Sequence, residues 1–253
     1  MDDDSARPLI SIIIPTLNVE SVIAACVDSI ARQTFRNYEV VIVDGFSTDK
    51  TAEIALGCQA TLGGRLSVHV EKDEGVYDAM NKGVARARGH WLLFLGADDL
   101  LHHEDTLTQV TAILHQDSTS QLVYGDVVMR SNSSRYGGVF DLDKLLFEKN
   151  ICHQAIFYRR EVFAHLGPYN LRYRIWADWD FNIRCFQNPT LATRYVDIVV
   201  ANYNDTGGLS LRMDSELQKR LPVFLLNATR RKWDARLRRV ARLLFPGFGK
   251  NSR

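Results

Sequence analysis

The sequence predicts an α/β fold in which helices flank a mostly parallel, doubly wound sheet. Three observations support this prediction. Over the first hundred residues, short apolar runs alternate with segments whose apolar residues recur at helical spacing. The links between these segments are short, which favours parallel strands joined by helical crossovers. Polar or acidic residues stand at the carboxyl end of each predicted strand, where such sheets bind their ligands.

Two strand–helix pairs open the chain. Leu9–Pro15 is a continuous apolar run, as expected for a strand that is covered on both faces. Apolar residues between Val19 and Ile30 then recur on one face of a helix. Tyr38–Val43 predicts a second buried strand, and the turn-forming residues Asp44–Asp49 lead into another helix.

The alternation continues to about residue 100 and is less regular afterwards. Leu66–Val70 predicts a third strand, Val76–Arg88 a helix, and Trp91–Leu95 a fourth strand. In the second half, Gln121–Met129 predicts a strand and Trp176–Phe186 a helix with acids at its start. We expect this half to pack on the edge of the sheet within the same domain.

The composition is that of an ordinary globular protein, with 253 residues of which 46% are hydrophobic and 24% charged. The formal net charge is only +1, so no nucleic-acid partner is expected. The four cysteines are widely separated and form no C-x-x-C pair, which favours free thiols in a reducing cytosol. The acidic amino terminus is unlike a signal peptide, and no apolar run approaches the ~20 residues that span a bilayer.

Positive charge is concentrated near the carboxyl terminus. From Arg230 onwards the chain carries nine Lys or Arg and one acid, about +8, which leaves about −7 for the rest. Trp233, Leu237, Val240 and Leu244 share one face at helical spacing. We expect this tail to be a basic amphipathic helix on an anionic membrane surface. A basic helix packed on the acidic body, or a disordered tail, is the alternative.

Two adjacent acids follow the fourth predicted strand. Asp98 and Asp99 carry hard carboxylate oxygens, which suit Mg²⁺ or Mn²⁺. Neighbouring side chains of an extended chain point to opposite sides, so we expect one acid to bind the metal and the other to contact a ribose or an ordered water. The alternative is a polar strand end in which an aspartate forms a turn or caps the next helix.

Further polar residues follow the second and third strands. Asp44 is placed to accept hydrogen bonds from a base or a ribose, or else to form a turn before Gly45. Asp73 lies beyond the third strand, and Asn81 and Lys82 lie on the helix that follows. A solvated helix face is the alternative explanation for this last group.

The segment WADWD places two acids beside two tryptophans. Trp176 and Trp179 are expected to form a partly dry wall, which suits a general base and an apolar contact with a sugar ring. Asp178 and Asp180 are the candidate acids, with helix capping as the alternative. His153 is a candidate for contacting a phosphate or an acceptor, or else a core histidine.

No G-x-G-x-x-G follows the first strand and no G-x-x-x-x-G-K-[ST] occurs, which argues against a dinucleotide oxidoreductase and a P-loop NTPase.

These motifs together resemble the family 2 inverting glycosyltransferases of the GT-A fold. The resemblance covers about residues 8–210, and the long motif DEGVYDAMNKG looks like bacterial transferases that assemble exopolysaccharide and lipopolysaccharide. The matching segments are SIIIPTLN, VDGFSTDKT, EGVYDAMNKGVARARG, WLLFLGADD, WADWDFNIR and GGLS.

The resemblance implies a role for each matching residue. On the nucleotide side, the base pocket would be lined by Thr16, Asn18 and Asp44, with Asp73 near the base or ribose, and the nucleotide would also be held by Asn81, Lys82 and Asp98. Asp99 would bind the metal, and Asp178 would be the catalytic base. The acceptor side would contain His153, Trp176 and Trp179. Two departures bear on these roles. Ala97 replaces the first acid of the usual D-x-D motif, and Ala177 stands where an acid often precedes the base. The absence of Q-x-x-R-W favours transfer of one sugar over processive synthesis.

The implied reaction moves one hexosyl or N-acetylhexosaminyl group, with inversion, from a nucleotide-diphosphate sugar to a glycan or lipid-linked saccharide. The implied donor is a UDP-sugar, with GDP as the alternative, and the implied cofactor is Mn²⁺ or Mg²⁺. One GT-A domain would span residues 1–220, with a nucleotide-sugar half at about 8–100 and an acceptor half at about 101–220, followed by the basic tail at 221–253. The enzyme would be cytoplasmic and peripheral on the inner face of the membrane. A non-catalytic nucleotide-sugar-binding module and a nucleotidyltransferase are the alternative functions.

Overall fold

The computed structural model describes residues 7–207 and 214–220. The chain divides into two compact units, Met1–Met213 and Asp214–Arg253. In the second unit, residues 215–220 are helical and Leu217 is buried. The predicted tail at 221–253 lies outside the described residues, so its helical form and the domain boundary after residue 220 stay predictions.

The first unit contains one nine-stranded sheet with helices packed against it. The strands are β1 (Ile10–Thr16), β2 (Tyr38–Asp44), β3 (Leu66–Val70), β4 (Trp91–Phe94), β5 (Leu100–Leu101), β6 (Ser120–Met129), β7 (Arg135–Tyr136), β8 (Ile156–Arg159) and β9 (Ala192–Tyr203). The helices are α1 (Ile23–Ala31), α2 (Thr51–Gly57), α3 (Gln59–Leu62), α4 (Val76–Arg86), α5 (Thr106–Gln116), α6 (Leu142–Phe147), α7 (Arg160–Leu166) and α8 (Ala177–Gln187). A short 3₁₀ helix spans His153–Ala155.

The strand order is β3-β2-β1-β4-β8-β6-β9-β5, with β7 paired to β6. Strands β3, β2, β1 and β4 are parallel neighbours, and β6 also pairs in parallel with β9. By contrast, β8 runs antiparallel to both β4 and β6. The predicted α/β fold with a mostly parallel sheet flanked by helices is confirmed, and the second half adds antiparallel pairs that the sequence pattern did not indicate.

The buried strands follow from their apolar sequences. Every residue of β1 and β2 is buried, as expected where a strand is covered on both faces. The five predicted strands all form, and each end lies within one residue of its predicted position. Helix α1 begins at Ile23, because the preceding residues from Val19 form a turn, and it buries Ile23, Cys26, Val27 and Ile30 at helical spacing.

Helix α4 lies unusually close to the sheet. A Cβ atom on Gly83 would overlap Cγ2 of Ile13, so glycine permits this close approach of α4 to β1. Because α4 follows β3 directly, its first turn lies at the carboxyl edge of the parallel strands. The packing therefore fixes the first turn of α4, which contains Tyr77, at the edge where ligands of such sheets bind.

The structure also bears on the membrane and cysteine predictions. Within residues 7–207 and 214–220, no helix is long and apolar enough to cross a bilayer. The four cysteines are free thiols in the structure.

Candidate active site

A cleft of about 1020 Å³ opens at the carboxyl ends of the parallel strands. It is lined by residues from the β1, β3 and β4 ends, the segment before β8, and the start of α8. Nine of the predicted site residues line it: Thr16, Asn18, Asp73, Asp98, Asp99, His153, Trp176, Asp178 and Trp179. The structure thus brings together the polar strand ends and the WADWD segment, which are far apart in the sequence.

Asp44 lies beneath this cleft instead of lining it. Its side chain is fully buried, with Oδ1 accepting hydrogen bonds from Thr16 Oγ1 at 3.0 Å and Ser47 Oγ at 2.6 Å. The backbone N–H of Ser47 donates to Asp44 Oδ2 at 2.8 Å. Both carboxylate oxygens are therefore engaged in shaping the loop, and the direct contact between Asp44 and the nucleotide stays a prediction.

The β1 and β2 loops are tied together by Asn18. Its backbone N–H donates to Ser47 Oγ at 2.8 Å, and its Oδ1 accepts from the backbone N–H of Thr48 at 2.8 Å. Asn18 adopts a positive φ of 52° and Phe46 one of 70°. Non-glycine residues are uncommon in this region, so the paired loops hold a specific shape at one end of the cleft.

Asp73 also belongs to this end of the cleft. Its Oδ1 accepts a hydrogen bond from the backbone N–H of Gly75 at 2.9 Å. A Cβ atom on Gly45 would overlap Asp73 Oδ2, so the glycine leaves room for that oxygen. The side chain of Asp73 is thereby held beside the β2 loop, as the prediction of a base or ribose contact requires.

Asn81 and Lys82 lie outside the cleft lining and have structural partners. Asn81 Oδ1 accepts from the backbone N–H of Tyr169 at 2.9 Å, and its Nδ2 donates to the carbonyl of Tyr169 at 3.0 Å. Lys82 pairs with Asp78 at 2.9 Å one turn away on α4. Asn81 thus ties α4 to the segment at Tyr169, and the contacts of Asn81 and Lys82 with the nucleotide stay predictions.

The acids after β4 lie in a turn, so the expectation of an extended chain at this point is wrong. The backbone N–H of Asp99 donates to the carbonyl of Gly96 at 3.0 Å. This turn brings the two carboxylates together, because a Cβ atom on Gly96 would overlap Asp99 Oδ2 and lie 3.1 Å from Asp98 Oδ1. Asp98 and Asp99 therefore present oxygens to one place, instead of pointing apart.

Hydrogen-bond donors hold both acids. Gln154 Nε2 donates to Asp99 Oδ2 at 2.8 Å, and the backbone N–H of Asn204 donates to Asp99 Oδ1 at 2.7 Å. The side-chain amide of Asn204 donates to Asp98 Oδ2 at 2.8 Å. Asp99 is 1% exposed, and its burial raises its pKa to about 6. The hydrogen bonds from Gln154 and Asn204 lower this pKa but do not cancel the effect of burial. A cation beside Asp99 would offset this cost of burying a charge.

The paired carboxylates fit a divalent cation that shares its ligands with a phosphate. Mg²⁺ and similar ions are commonly held by one or two carboxylates, with waters and substrate phosphates completing the shell. Within the described ranges, no group of three or more His, Cys, Asp or Glu is arranged to hold a metal. Asp98 Oδ1 and Asp99 Oδ2 thus fit a metal that is bound together with a diphosphate. Without the diphosphate, the two oxygens would not complete the coordination of the metal.

Asp178 lies in the first turn of α8 and is 7% exposed. The hydroxyl of Tyr77 lies 2.6 Å from its Oδ1. Asn150 Nδ2 donates to Oδ2 at 2.9 Å, and His153 Nδ1 lies 3.4 Å from the same oxygen. These contacts fix the orientation of a carboxylate that lines the cleft, which is what a general base requires.

Two tryptophans flank this carboxylate. The rings of Trp176 and Trp179 are tilted, with centroids 5.2 Å apart, and both line the cleft. Trp179 Nε1 donates to the carbonyl of Leu145 at 2.7 Å, which fixes its ring. The predicted aromatic wall beside Asp178 therefore forms.

The sequence interpretation missed four polar residues that hold the acids in place. Tyr77 and Asn150 contact Asp178, whereas Gln154 and Asn204 contact the acids after β4. Tyr77 stands inside the quoted motif EGVYDAMNKG and Gln154 directly follows His153, so both stood beside residues already singled out. Asn150 and Asn204 carry no such signal, because their contacts depend on the fold.

A mostly parallel sheet with paired acids after a strand, and a further acid on a helix lining the same cleft, is typical of GT-A glycosyltransferases. Residues 11–167 match the protein family described as glycosyl transferase family 2. The chain belongs to this family and is a glycosyltransferase.

Similar proteins agree with this assignment. The chain is 62% identical over 219 residues, 86% of each chain, to the "PGL/p-HBAD biosynthesis glycosyltransferase" of Mycobacterium bovis and to its Mycobacterium tuberculosis counterpart. It is 30% identical over 185 residues, 71% of this chain and 70% of the other, to an uncharacterized glycosyltransferase of Mycobacterium tuberculosis.

Solved structures share the fold. S. aureus TarS 1-349 in complex with UDP-GlcNAc aligns with a TM-score of 0.69 at 21% identity, covering 86% of this chain and 66% of that one. Mannosyltransferase PcManGT from Pyrobaculum calidifontis, in complex with GDP-Man and Mn²⁺, aligns with a TM-score of 0.61 at 22% identity, covering 80% and 59%. The chain thus spans about two thirds or less of these solved chains.

Proposed function

We propose that this glycosyltransferase transfers one sugar from a nucleotide-diphosphate sugar in a single displacement that inverts the anomeric configuration. The observation that supports the proposal is that Asp178 and the pair Asp98 and Asp99 line the same cleft. An inverting displacement needs a base for the acceptor hydroxyl and stabilisation of the leaving diphosphate. The two groups of acids are suited to these two tasks.

In the proposed reaction, the acceptor oxygen bonds to the anomeric carbon as the bond from that carbon to the diphosphate breaks. The acceptor proton passes to the carboxylate of Asp178, and the nucleoside diphosphate leaves with the bonding electrons. Asp178 is suited to this step because Tyr77 and Asn150 hold its two oxygens while it lines the cleft. The aromatic wall of Trp176 and Trp179 would exclude water and contact the sugar through its apolar face.

Asp98 and Asp99 would hold Mn²⁺ or Mg²⁺, which when bound neutralises the charge that develops on the diphosphate. Gln154 and Asn204 position the two carboxylates for this contact. The turn at Gly96 brings oxygens of both carboxylates close to one point, where they would share the ion.

We propose a UDP-sugar as the donor, with either a hexosyl or an N-acetylhexosaminyl group. Thr16, Asn18 and Asp73 line the end of the cleft where the base and ribose would bind. The TarS complex with UDP-GlcNAc has the same fold, whereas the PcManGT complex contains GDP-Man, so GDP is the alternative to be tested.

We propose that the acceptor is a saccharide or a lipid-linked saccharide of a bacterial cell-surface glycan. The 62% identity to glycosyltransferases named for PGL/p-HBAD biosynthesis supports a role in that biosynthesis. We therefore favour PGL/p-HBAD biosynthesis over lipopolysaccharide biosynthesis as the pathway. His153 lies beside Asp178, where it would contact the acceptor.

A thermal-shift screen of nucleotide sugars tests the donor assignment. We expect UDP-sugars to raise the melting temperature in the presence of Mn²⁺, because ligand at 100 times its Kd stabilises the folded state by about 2.7 kcal/mol. The shift should be smaller with EDTA, and GDP-sugars and ADP should produce little shift. A larger shift with GDP-sugars would replace UDP in the proposal, and no shift with any nucleotide sugar would contradict it.

Two alternative functions are distinguished by the product of the reaction. A non-catalytic module would bind the donor without releasing nucleoside diphosphate, whereas the proposed enzyme releases it as sugar is transferred. A nucleotidyltransferase would instead release pyrophosphate, and membership in glycosyl transferase family 2 disfavours it.

The catalytic domain is proposed to span residues 1–220, and the tail at 221–253 is proposed to bind the inner face of the cytoplasmic membrane. The charge of about +8 from Arg230 onwards supports this attachment, since each basic residue near an anionic surface contributes about 1 kcal/mol. This location would bring the cleft to a lipid-linked acceptor.

Removal of the tail tests membrane attachment. We expect the full chain to float with vesicles that contain anionic lipid, and a truncation before Arg230 to remain in the soluble fraction. High salt should release the full chain, because screening weakens the electrostatic part of binding. Equal flotation of the truncated protein would contradict the proposal.

A further inference from the structure

The hydroxyl of Tyr77 lies between two acceptors in the wall of the cleft. Tyr77 is 6% exposed, and its hydroxyl oxygen lies 2.6 Å from Asp178 Oδ1 and 2.6 Å from the carbonyl oxygen of Ile175. A hydroxyl has a single proton, so it donates to only one of these oxygens at a time. The arrangement therefore offers the proton of Tyr77 two alternative positions.

The charge of Asp178 determines which position is favoured. A carboxylate accepts a stronger, charge-assisted hydrogen bond than a carbonyl does, so the proton points to Asp178 while that residue is ionised. Once Asp178 is neutral, this advantage is lost and the carbonyl of Ile175 becomes the better acceptor. A buried donor without an acceptor is costly, and the second acceptor removes that cost.

We propose that Tyr77 is a positioning residue for the catalytic base, whose hydroxyl holds Asp178 Oδ1 before proton transfer and turns to the Ile175 carbonyl afterwards. The proposal rests on the proposed role of Asp178. Tyr77 keeps its own proton throughout, and the only proton transferred is that of the acceptor. Asn150 holds the other oxygen of Asp178, so the carboxylate is fixed from two sides.

Replacement of Tyr77 by phenylalanine tests the proposal, because it deletes only the hydroxyl. We expect kcat to fall about 10- to 100-fold, as for loss of a hydrogen bond to a charged group, while KM for the donor stays within about twofold. The matched control is Tyr169→Phe. Tyr169 is also buried and packs against Tyr77 with ring centroids 5.4 Å apart, but within the described residues it makes no hydrogen bond to Asp178.

The comparison of kcat with KM supplies a second readout. Loss of a contact that only positions the base slows the chemical step, whereas a general distortion of the cleft would also raise KM for the donor.

Each outcome supports or overturns the proposal. A lower kcat with an unchanged KM for the donor in Tyr77→Phe, and wild-type kcat in Tyr169→Phe, supports it. Wild-type kcat in Tyr77→Phe, an unfolded Tyr77→Phe protein, or equal effects of the two variants would overturn it. Asp178→Asn is measured in parallel, because full turnover in that variant would reject the proposed base itself and not only the role of Tyr77.

Discussion

Replacement of Asp178 by asparagine is expected to lower kcat about 10²- to 10⁴-fold, the usual contribution of a general base. Asparagine has nearly the same shape and keeps an oxygen that can accept from the Tyr77 hydroxyl, but it cannot take the acceptor proton. The nucleotide end of the cleft is untouched, so donor affinity should survive. Steady-state kinetics and donor binding by calorimetry measure these two quantities separately.

Asp180→Asn is the matched control for this variant. Asp180 lies two residues further along α8, is 3% exposed, and pairs with Arg184 at 2.9 Å. Its loss should lower the melting temperature through a broken, partly buried ion pair, while kcat in the folded protein remains close to that of the wild type. Near-normal turnover of Asp178→Asn would remove Asp178 from its proposed role, and an equal loss in Asp180→Asn would assign the effect to the fold.

The parallel half of the sheet was predictable because its strands are buried on both faces. A strand such as β1 then consists almost entirely of apolar residues and needs no tertiary information to be recognised. The strands β8 and β9 were missed for different reasons. β8 lies directly between the 3₁₀ helix and α7, with no turn residues to mark its ends, whereas the longer β9 is largely half-exposed and pairs with β6 through irregular register. Both are stabilised by pairing with distant strands.

The candidate site was predictable as a region but not residue by residue. The rule that ligands bind at the carboxyl ends of parallel strands correctly placed Asp73 and Asp99 in the cleft. It could not separate them from Asp44, whose buried carboxylate accepts hydrogen bonds from Thr16 and Ser47. Likewise, the partners of Asp99 are 55 and 105 residues away, so only the folded chain reveals them.

Removal of divalent metal is expected to stop transfer, and added Mn²⁺ to restore it. Asp98 and Asp99 present oxygens to one place, yet no third acidic or histidine ligand joins them within the described chain. We therefore expect Mn²⁺ to bind weakly alone and much more tightly with UDP, whose phosphates complete the coordination shell. Electron paramagnetic resonance of Mn²⁺ measures this coupling without an activity assay. Full activity in EDTA would reject the metal assignment.

Substitution and pH further test which carboxylates hold the ion. Asp98→Asn and Asp99→Asn should each weaken Mn²⁺ binding in the presence of UDP, whereas Asp105→Asn, at an exposed carboxylate beside His103, should not.

Because burial raises the pKa of Asp99 to about 6, this carboxyl is charged above pH 6 and takes up a proton below it. Proton and metal compete for the same oxygens, so Mn²⁺ affinity should fall by about tenfold per pH unit below 6. Affinity that stays constant down to pH 4.5 would mean that Asp99 is not a ligand, and would leave Asp98, with its less buried carboxylate, as the residue that holds the ion.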